Sequence, residues 1–365
     1  MSFAPEPAFD HHQRPTTGVL IVNLGTPDAP TPSALRRYLG QFLSDPRVVE
    51  IPRAVWKPIL HGIILRTRPG KSAAKYASIW APEGSPLRTW TNKQGTLLQG
   101  YLGERGHRLS VKWAMRYGQP SIASQLDALK AEGARRVLVV PLYPQYSGAT
   151  TASVMDDVFA WGRRTRHLPE LRFVNHFHDD ERYIAALADS VRAYWQREGQ
   201  GDKLVMSFHG MPERTLHLGD PYHCECHKTA RLLAQRLNLP PERVVVSFQS
   251  RFGRAKWLQP YTEPTLRELG KAGTGRVDVI CPAFVSDCIE TLEEIAMEGK
   301  QAFLSSGGKE FHYIPCLNDR PEWMRALTGL CEQHLQGWPT KVIEQLTESE
   351  LQATQQRAKT LGAKR

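Results

Sequence analysis

Apolar residues along the chain fall into short unbroken runs, separated by segments of helical periodicity. Unbroken apolar runs of about four to eight residues are typical of strands buried on both faces of a parallel sheet. The predicted strands are Gly18–Leu24, Val111–Tyr117, Arg136–Tyr143, Arg172–His176, Leu204–Phe208, Val244–Gln249 and Arg276–Pro282. The predicted helices are Ser33–Leu43, Thr91–Glu104, Ser121–Glu132, Thr150–Trp161, Glu181–Glu198, Lys228–Leu237, Thr262–Gly270 and Asp287–Glu298. Residues 43–80 show neither pattern and are expected to be irregular.

The two halves of the chain resemble each other. VNLGTP at Val22–Pro27 is similar to MSFHGMP at Met206–Pro212, and ALKAEGARRVLVVPLYP is similar to ELGKAGTGRVDVICPAF. Strands that alternate with helices form parallel sheets with right-handed crossovers. The sequence therefore predicts the α/β class, with two doubly wound domains and a cleft between them. No G-x-G-x-x-G follows either first strand, so a dinucleotide site is not predicted.

The domain limits follow from the same pattern. We expect a disordered tail over residues 1–16, an N-terminal domain over 17–166, a C-terminal domain over 167–335, and a helix or tail over 336–365. The N-terminal domain includes a lip region, residues 42–80, which contains the apolar run Val55–Leu65 with basic residues at its edges. This run could be a core helix, a lid over an apolar anionic ligand, or a membrane-surface contact.

Composition narrows the choice of partners. The 365 residues include 47 basic and 37 acidic side chains, and the net charge of +10 favours anionic partners. Basic runs interleaved with aromatic residues are absent from the sequence, so nucleic acid is not expected. No apolar run approaches the roughly 20 residues of a membrane span, and the first residues lack the apolar core of a signal peptide. We expect a cytoplasmic protein whose six cysteines are reduced thiols.

The first candidate site residue is His209, at the end of the predicted strand Leu204–Phe208. Gly210 and Pro212 follow it and turn the chain. Open α/β sheets bind ligands beyond the carboxyl ends of their strands. A lone histidine in this position can equally be a core or turn residue. As a site residue, a neutral imidazole could accept a proton near pH 7 or bind a transition metal.

Acidic residues follow the corresponding strand end of the second repeat. Asp287 precedes Glu290 by three positions, and Glu290, Glu294 and Glu298 are spaced four apart, with Glu293 beside them. This spacing gives a drifting stripe on an α-helix and a straighter one on a π-type helix. A solvated helix face is one interpretation. Because like charges repel, and because the stripe begins at a strand end, the alternative is a path for a divalent cation or for protons.

Two further motifs contain candidate chemistry. His223–His227 (HCECH) suggests zinc, but Cys-x-Cys lacks the usual two-residue gap and no second cysteine pair lies at finger spacing, so a helix start with free thiols is the alternative. Val246–Gly253 and Trp257–Thr262 mix polar, cationic and aromatic residues at another strand end. Gln249 and Trp257 are the candidates there for contact with a flat, apolar, acid-bearing ligand, although each can also have a packing role.

Together these motifs resemble the ferrochelatase family, over about residues 16–335. The motifs are VNLGTP, FLSDPRV (Phe42–Val48), GSPL (Gly84–Leu87), PLYPQYSGATT (Pro141–Thr151), SFHGMP, GDPY (Gly219–Tyr222), FQSRFG, WLQPYT, CPAFVSDCIETLEEI (Cys281–Ile295) and PCLN (Pro315–Asn318). The resemblance implies two similar Rossmann-like domains of the chelatase type. It also implies a lyase that inserts Fe²⁺ into protoporphyrin IX, giving protohaem and two protons in the last step of haem biosynthesis.

The resemblance assigns roles residue by residue. It implies that His209, in the SFHG motif, and Glu290, in the SDxxET motif, are the catalytic residues and the contacts for the metal. Asp287, Glu294 and Glu298 would then belong to a cation or proton route. The implied porphyrin contacts are Phe42 at the lip, Arg68 and Ser85 toward the propionates, Arg116 and Tyr117 on the inner wall, and Gln249 and Trp257.

The resemblance also sets expectations for cofactors and partners. Fe²⁺ is expected as substrate, with no tightly bound cofactor. Gly148 follows the PQYS motif, where cluster-bearing relatives have a cysteine, and no cysteine follows Cys331, so no [2Fe-2S] cluster is expected in that arrangement. Peripheral contact with the inner membrane or with the preceding pathway enzyme is a further expectation. The alternatives are iron insertion into coproporphyrin III, a non-catalytic porphyrin or haem carrier, and a zinc hydrolase built on Cys224–His227.

Overall fold

Two parallel sheets, each of four strands, form the frame of the protein. The structure is a computed structural model that describes residues 3–6, 9–253, 255–341, 343 and 345–364. The first sheet has the order β2-β1-β3-β4, with β1 Thr16–Gly25, β2 Ser110–Tyr117, β3 Ala134–Pro141 and β4 Glu170–Phe173. The second has the order β6-β5-β7-β8, with β5 Lys203–His209, β6 Val244–Gln249, β7 Arg276–Ile280 and β8 Glu310–Tyr313. The identical order confirms the predicted repeat and the α/β class.

The central strand of each sheet is buried on both faces, which explains its unbroken apolar sequence. Val19–Val22 of β1 are completely buried, and Leu204–Phe208 of β5 are buried in the same way. Both strands pair in parallel with a neighbour on each side. The carboxyl ends of β1 and β5, at Gly25 and His209, are therefore the ends at which the loops of each half gather.

Helices cover both sheets. Their bounds are α1 Pro32–Ser44, α2 Arg53–Ile59, α3 Leu65–Ser78, α4 Pro86–Glu104, α5 Ile122–Ala131, α6 Ser153–Gly162, α7 Glu181–Glu198, α8 Glu213–His217, α9 Tyr222–Arg236, α10 Thr262–Lys271, α11 Lys300–Leu304, α12 Pro321–Leu335 and α13 Glu348–Thr360. π-helical segments occupy Leu60–Ile64, Gly148–Ala152 and Glu290–Gly299, and a 3-10 turn occupies Pro241–Arg243. Polar side chains cap the N-termini of α1 and α7. The Thr31 hydroxyl accepts a hydrogen bond from the Ala34 N–H, and the Asp180 carboxylate accepts hydrogen bonds from the N–H groups of Arg182 and Tyr183.

The prediction that residues 43–80 are irregular is wrong, because α2, a π-helical segment and α3 span most of them. Leu60 and Leu65 are buried against Leu43 and Val49, whereas Val55 and Ile63 are exposed. Apolar side chains thus lie on both the buried and the exposed face of this helical segment. A helix is recognised in a sequence by apolar residues on one face only, so this segment lacks the usual pattern. Pro58 and Pro69, both inside helices, weaken the helical signal further.

The prediction that the strand Arg172–His176 belongs to the second half of the chain is wrong. Strand β4 pairs in parallel with β3, so the first sheet extends to Phe173, beyond the predicted boundary at 166/167. Helix α12 returns from the second sheet and contacts α4 and β3 of the first. One hydrophobic core accordingly contains Leu138 of the first sheet together with Met206 and Phe208 of the second. The two repeats are packed as one unit around the cleft.

The remaining domain limits stay predictions. Of the predicted tail, Met1, Ser2, Pro7 and Ala8 lie outside the described residues, while Glu6 accepts a hydrogen bond from the Arg166 N–H at 2.7 Å. Within the predicted C-terminal segment, Val342, Glu344 and Arg365 lie outside the described residues, and α13 begins with a Thr347–Glu350 capping box.

Candidate active site

A cavity of about 140 Å³ lies where the carboxyl ends of the two sheets meet. His209 and Glu290 both line it, so the structure brings together the two residues that the sequence analysis paired. Most of the other walls are apolar. They include Leu24, Phe42, Leu142 and Tyr143 from the first half and Met211, Trp257 and Phe284 from the second. A mainly apolar cleft with a few convergent polar groups is the usual form of a small-molecule site.

The ring of His209 has a defined tautomer. Its Nδ1 lies 2.6 Å from the carbonyl oxygen of Gly210. A carbonyl oxygen only accepts hydrogen bonds, so Nδ1 carries the proton and the neutral ring has its lone pair on Nε2. A side chain at position 210 would clash, because its Cβ would lie 2.5 Å from the Gln249 carbonyl oxygen and 3.2 Å from the Trp257 ring. Glycine is therefore required next to the candidate base.

Glu290 begins the π-helical segment Glu290–Gly299, and the end of β6 fixes its backbone. Gln249 donates a hydrogen bond from Nε2 to the Glu290 carbonyl oxygen at 2.7 Å and accepts one from the Ser207 hydroxyl at 2.7 Å. Gln249 also pairs with His209 in the register of β6 and β5. Gln249, predicted as a porphyrin contact, is not among the residues that line the cavity, and it links the two candidate catalytic residues from behind.

The acidic stripe lies on a π-helix, one of the two geometries that its spacing allowed. Glu294 accepts hydrogen bonds from the backbone N–H of Ser250, at 2.6 Å, and from its hydroxyl. Burial raises the pKa of Glu294, and the nearby charge of Glu290 adds to this effect. A carboxyl group with a raised pKa exchanges protons nearer to neutral pH than an ordinary glutamate does.

The outer end of the stripe is paired with a lysine that the sequence analysis missed. Lys75 of α3 lies 2.9 Å from Glu293 and 2.8 Å from Glu298. Burial still raises the pKa of Glu293 despite this ion pair. Lys75 and Glu293 are 218 positions apart, so nothing local in the sequence could reveal their contact.

Asp287 lies behind the cavity wall, with both carboxylate oxygens used by protein donors. Oδ1 accepts from the hydroxyls of Tyr313, at 2.5 Å, and Thr291, at 3.0 Å. Oδ2 accepts from Asn318 Nδ2 at 2.6 Å, and the Asp287 N–H donates to Asn318 Oδ1 at 2.8 Å. The residue is buried and is not among those that line the cavity. Its contacts fix the loop that leads into Glu290.

A second, wider cavity of about 560 Å³ adjoins the first and shares Met211, Phe252 and Trp257 with it. Arg68 lines this cavity and stacks over the Phe252 ring, 5.7 Å from its centroid. Arg68 forms no ion pair with any residue that the structure describes. Arg68 is therefore a free cation at the mouth of an apolar cleft, where a ligand carboxylate could pair with it.

Besides Gln249, three more of the predicted porphyrin contacts line neither cavity. Ser85 is buried and accepts a hydrogen bond from the Thr26 hydroxyl at 2.7 Å. Arg116 and the Tyr117 hydroxyl each donate to Asp45 Oδ2 at 2.7 Å. Phe42, which does line the first cavity, packs edge-on against Tyr117. Arg116 and Tyr117 are thus placed behind the lip.

The cysteines near the cavity are poor metal ligands. Burial raises the pKa values of Cys281 and Cys288 well above the ordinary value, and the charge of Glu290 adds to the effect at Cys288. Both groups remain neutral thiols at neutral pH, whereas metals bind the thiolate. The cavity therefore presents an imidazole and a carboxylate to a metal ion, without a thiolate beside them.

The HCECH motif does not form the predicted alternative, a zinc centre of cysteines and histidines. Cys226 is buried and its pKa is raised well above the ordinary value by burial. His223 and His227 pack against Phe248, and burial lowers the pKa of each. In the described ranges of the chain, the only grouping of three metal-ligating side chains contains Glu225 of this motif with His176 and His178.

Comparison with known proteins assigns the chain to a family. A family model described as Ferrochelatase matches residues 16–335. The ferrochelatase of Methylibium petroleiphilum is 65% identical over 363 residues, covering 100% of this chain and 99% of that protein. The ferrochelatase of Polaromonas sp. is 64% identical over 369 residues, covering 100% of both. Among solved structures, the sirohydrochlorin chelatase SirB from Bacillus subtilis subspecies spizizenii, in complex with cobalt, has a TM-score of 0.49 and 11% identity, covering 88% of this chain and 97% of that one. The full-length matches show that the chain belongs to the ferrochelatase family.

Proposed function

We propose that this protein is a lyase that inserts Fe²⁺ into protoporphyrin IX, releasing two protons as protohaem forms. The observation that supports this most directly is the pairing of His209 and Glu290 in one apolar cavity built by both sheets. The metal is the substrate, so its ligands must exchange. One imidazole and one carboxylate bind Fe²⁺ more weakly than a closed set of four ligands does.

The tautomer of His209 suits it to proton removal. Nε2 has a free lone pair, because the Gly210 carbonyl fixes the proton on Nδ1. We assign Nε2 as the acceptor of a pyrrole proton and as a transient contact of the metal, with Glu290 as the opposing contact and second proton handler. The apolar walls would hold the flat macrocycle and supply the binding energy that bends it toward the metal.

The acidic stripe provides a route away from Glu290. Glu294, with its raised pKa, lies next along the stripe, and Glu298 lies at the end with Lys75. We propose that protons, or the incoming cation, pass along Glu294 and Glu298, and that the Lys75 ammonium occupies the outer cation position between turnovers. Asp287 and Gln249 are then positioning residues, because their contacts fix the backbone around Glu290.

The wider cavity suits the acidic edge of a porphyrin. Arg68 is the proposed propionate contact, since its guanidinium lies at the mouth without an ion pair to any residue that the structure describes. Phe42 and Trp257 are proposed to contact the ring. Ser85, Arg116 and Tyr117 are assigned a supporting role, through Thr26 and Asp45.

Anaerobic incubation with Fe²⁺ and protoporphyrin IX tests the function. We expect the absorption spectrum of protohaem to appear with repeated turnover, and a slower reaction with coproporphyrin III, because two additional propionates would have to enter the mainly apolar cavity. A faster reaction with coproporphyrin III would reverse the substrate assignment. Stoichiometric porphyrin binding without turnover would identify a carrier.

Exposed side chains of the lip region favour a peripheral contact between this protein and a membrane surface. No described helix has the length and apolar character to cross a bilayer. Val55, Ile59 and Ile63 nevertheless lie exposed at intervals of four along α2 and the π-helical segment that follows it. Basic side chains at Arg53, Lys57 and Arg66 flank them. An apolar face with a basic border is typical of segments that bind the surface of an anionic bilayer.

The change Ile63→Asp should weaken binding to anionic phospholipid vesicles by about tenfold or more, because it removes the burial of one large apolar side chain and adds a negative charge. Co-sedimentation with vesicles measures this directly. Ile343→Asp is the matched control, because Ile343 is 95% exposed and lies outside the lip. Equal binding by both variants and the unaltered protein would contradict a lip-mediated contact.

A further inference from the structure

We propose that His176, His178 and Glu225 form a second metal site, outside the cavity, that binds one divalent first-row transition-metal ion such as Zn²⁺. This inference concerns a different part of the molecule from the porphyrin cleft and does not depend on the proposed function.

The three side chains already converge on one point. His176 Nδ1 lies 2.7 Å from Glu225 Oε1, and His178 Nδ1 lies 3.2 Å from Glu225 Oε2. One ligand atom from each residue lies within 4.8 Å of the other two. A metal ion with bonds of about 2.0–2.2 Å to imidazole nitrogen and carboxylate oxygen needs ligand atoms at such separations.

A buried nitrogen without a well-formed hydrogen bond is a further indication of a ligand. The side chain of His178 is only 6% exposed. Its Nδ1 makes no hydrogen bond with any residue in the part of the chain that the structure describes, although Glu225 Oε2 is close to it. Buried polar groups are almost always satisfied, so a buried imidazole nitrogen whose contact with a carboxylate oxygen at 3.2 Å lacks hydrogen-bond geometry needs an explanation. A metal ion between the two rings and the carboxylate would satisfy it.

The surrounding contacts hold the ligands in place from both halves of the chain. The histidines lie on the segment that follows β4 of the first sheet, and Glu225 lies on α9, which precedes β6 of the second. The Thr229 hydroxyl, one turn along α9, donates to the His178 carbonyl oxygen at 2.8 Å. The Tyr146 N–H donates to Glu225 Oε2 at 2.7 Å and so orients the carboxylate. Such outer contacts are typical of metal ligands.

The ligand set limits the kind of ion. Two imidazoles and one carboxylate suit Zn²⁺ and neighbouring first-row ions and are poorly suited to Ca²⁺ or Mg²⁺, which prefer oxygen. Three protein ligands leave a coordination position for water or another exchangeable ligand. The His176 side chain is 45% exposed, which gives an ion a path from solvent. An ion here would clamp the two halves together, because its ligands come from both.

The binding test uses the full chain carrying His209→Ala and Glu290→Gln, so that the cavity no longer offers its own metal ligands. Equilibrium dialysis against Zn²⁺ should find one tightly bound ion per chain, and Co²⁺ in its place should give the visible ligand-field absorption of a site with nitrogen ligands. Adding His176→Ala removes a metal ligand and should reduce the affinity for Zn²⁺ by more than about 100-fold. Loss of a group that only supports a ligand costs roughly 10- to 100-fold. His217→Ala is the matched control, since His217 is exposed and outside the cluster.

Thermal unfolding separates loss of binding from loss of folding. Because His176 is half exposed, His176→Ala should unfold at the parent temperature without metal, whereas Zn²⁺ should raise the midpoint of the parent and not of the variant. The more buried His178→Ala should lose the same Zn²⁺-dependent shift. The proposal is overturned if the parent binds no Zn²⁺, or if both histidine variants keep the ion with unchanged affinity. Iron insertion by the chain with an intact cavity is measured separately, so failure of this proposal leaves the proposed function untouched.

Discussion

His209→Ala should lower the rate of iron insertion by about 100- to 10,000-fold, the usual contribution of a positioned general base. The physical reason is the tautomer: Nε2 holds the only imidazole lone pair among the residues that line the cavity, and alanine removes it. The measurement is the initial rate of protohaem formation under anaerobic conditions. Porphyrin affinity, followed by quenching of its fluorescence, should change little, because the apolar walls are intact.

Glu290→Gln is expected to give a similar loss of rate, because the amide keeps the shape of the side chain but neither binds Fe²⁺ well nor accepts a proton. The control for both variants is His217→Ala, which changes an exposed histidine outside the cavity. Near-normal rates in both His209→Ala and Glu290→Gln would place the chemistry elsewhere. Lost porphyrin binding together with lost rate would show a structural effect instead.

The second large effect is expected on stability. Asp287→Asn should lower the free energy of unfolding by about 2–5 kcal/mol, since each buried donor left without an acceptor costs about 1–3 kcal/mol. The amide has one acceptor oxygen, whereas the carboxylate receives Tyr313 and Thr291 on one oxygen and Asn318 on the other. In any orientation, the new N–H₂ group would therefore face at least one donor. Chemical denaturation of the two proteins measures the difference.

Asp319→Asn is the matched control, because this neighbouring carboxylate is partly exposed and pairs with Lys93 at the surface. Exposed ion pairs contribute about 0–1 kcal/mol, so its stability should barely change. If Asp287→Asn unfolds with the same free energy as the parent, the network does not stabilise the loop into Glu290. If it folds but inserts iron slowly at unchanged porphyrin affinity, the positioning role is supported.

Much of the frame could be predicted from local sequence. The apolar runs at β1 and β5 located the two central strands, and the similarity of VNLGTP to MSFHGMP indicated that both strands end in equivalent loops. The interval of four between Glu290, Glu294 and Glu298 was also readable, because it is a local property, but it allowed an α-helix as well as the π-helix that the structure shows. Sequence alone located His209 and Glu290 as a pair only through that repeat and the family motifs.

Other features depended on partners far along the chain. Phe173 ends a strand that joins the first sheet, because β4 has β3 as its neighbour, and a short strand does not encode which sheet it completes. Lys75 lies 2.9 Å from Glu293 only because the tertiary fold brings the side chain of this α3 residue to the π-helix. Glu225 was visible within HCECH, yet its neighbours are His176 and His178, from another element.

The sequence by itself determined the alternation of strands and helices, the repeat, and the candidate base and carboxylate, since each depends on periodicity or on a short motif. The tertiary structure alone decided that His209 Nδ1 faces the Gly210 carbonyl oxygen, that Gln249 and Asp287 lie behind the cavity, and that Arg68 lies at the mouth of the cleft without an ion pair to any described residue. These properties depend on distance, burial and hydrogen-bond partners, which arise only when segments distant in sequence pack together.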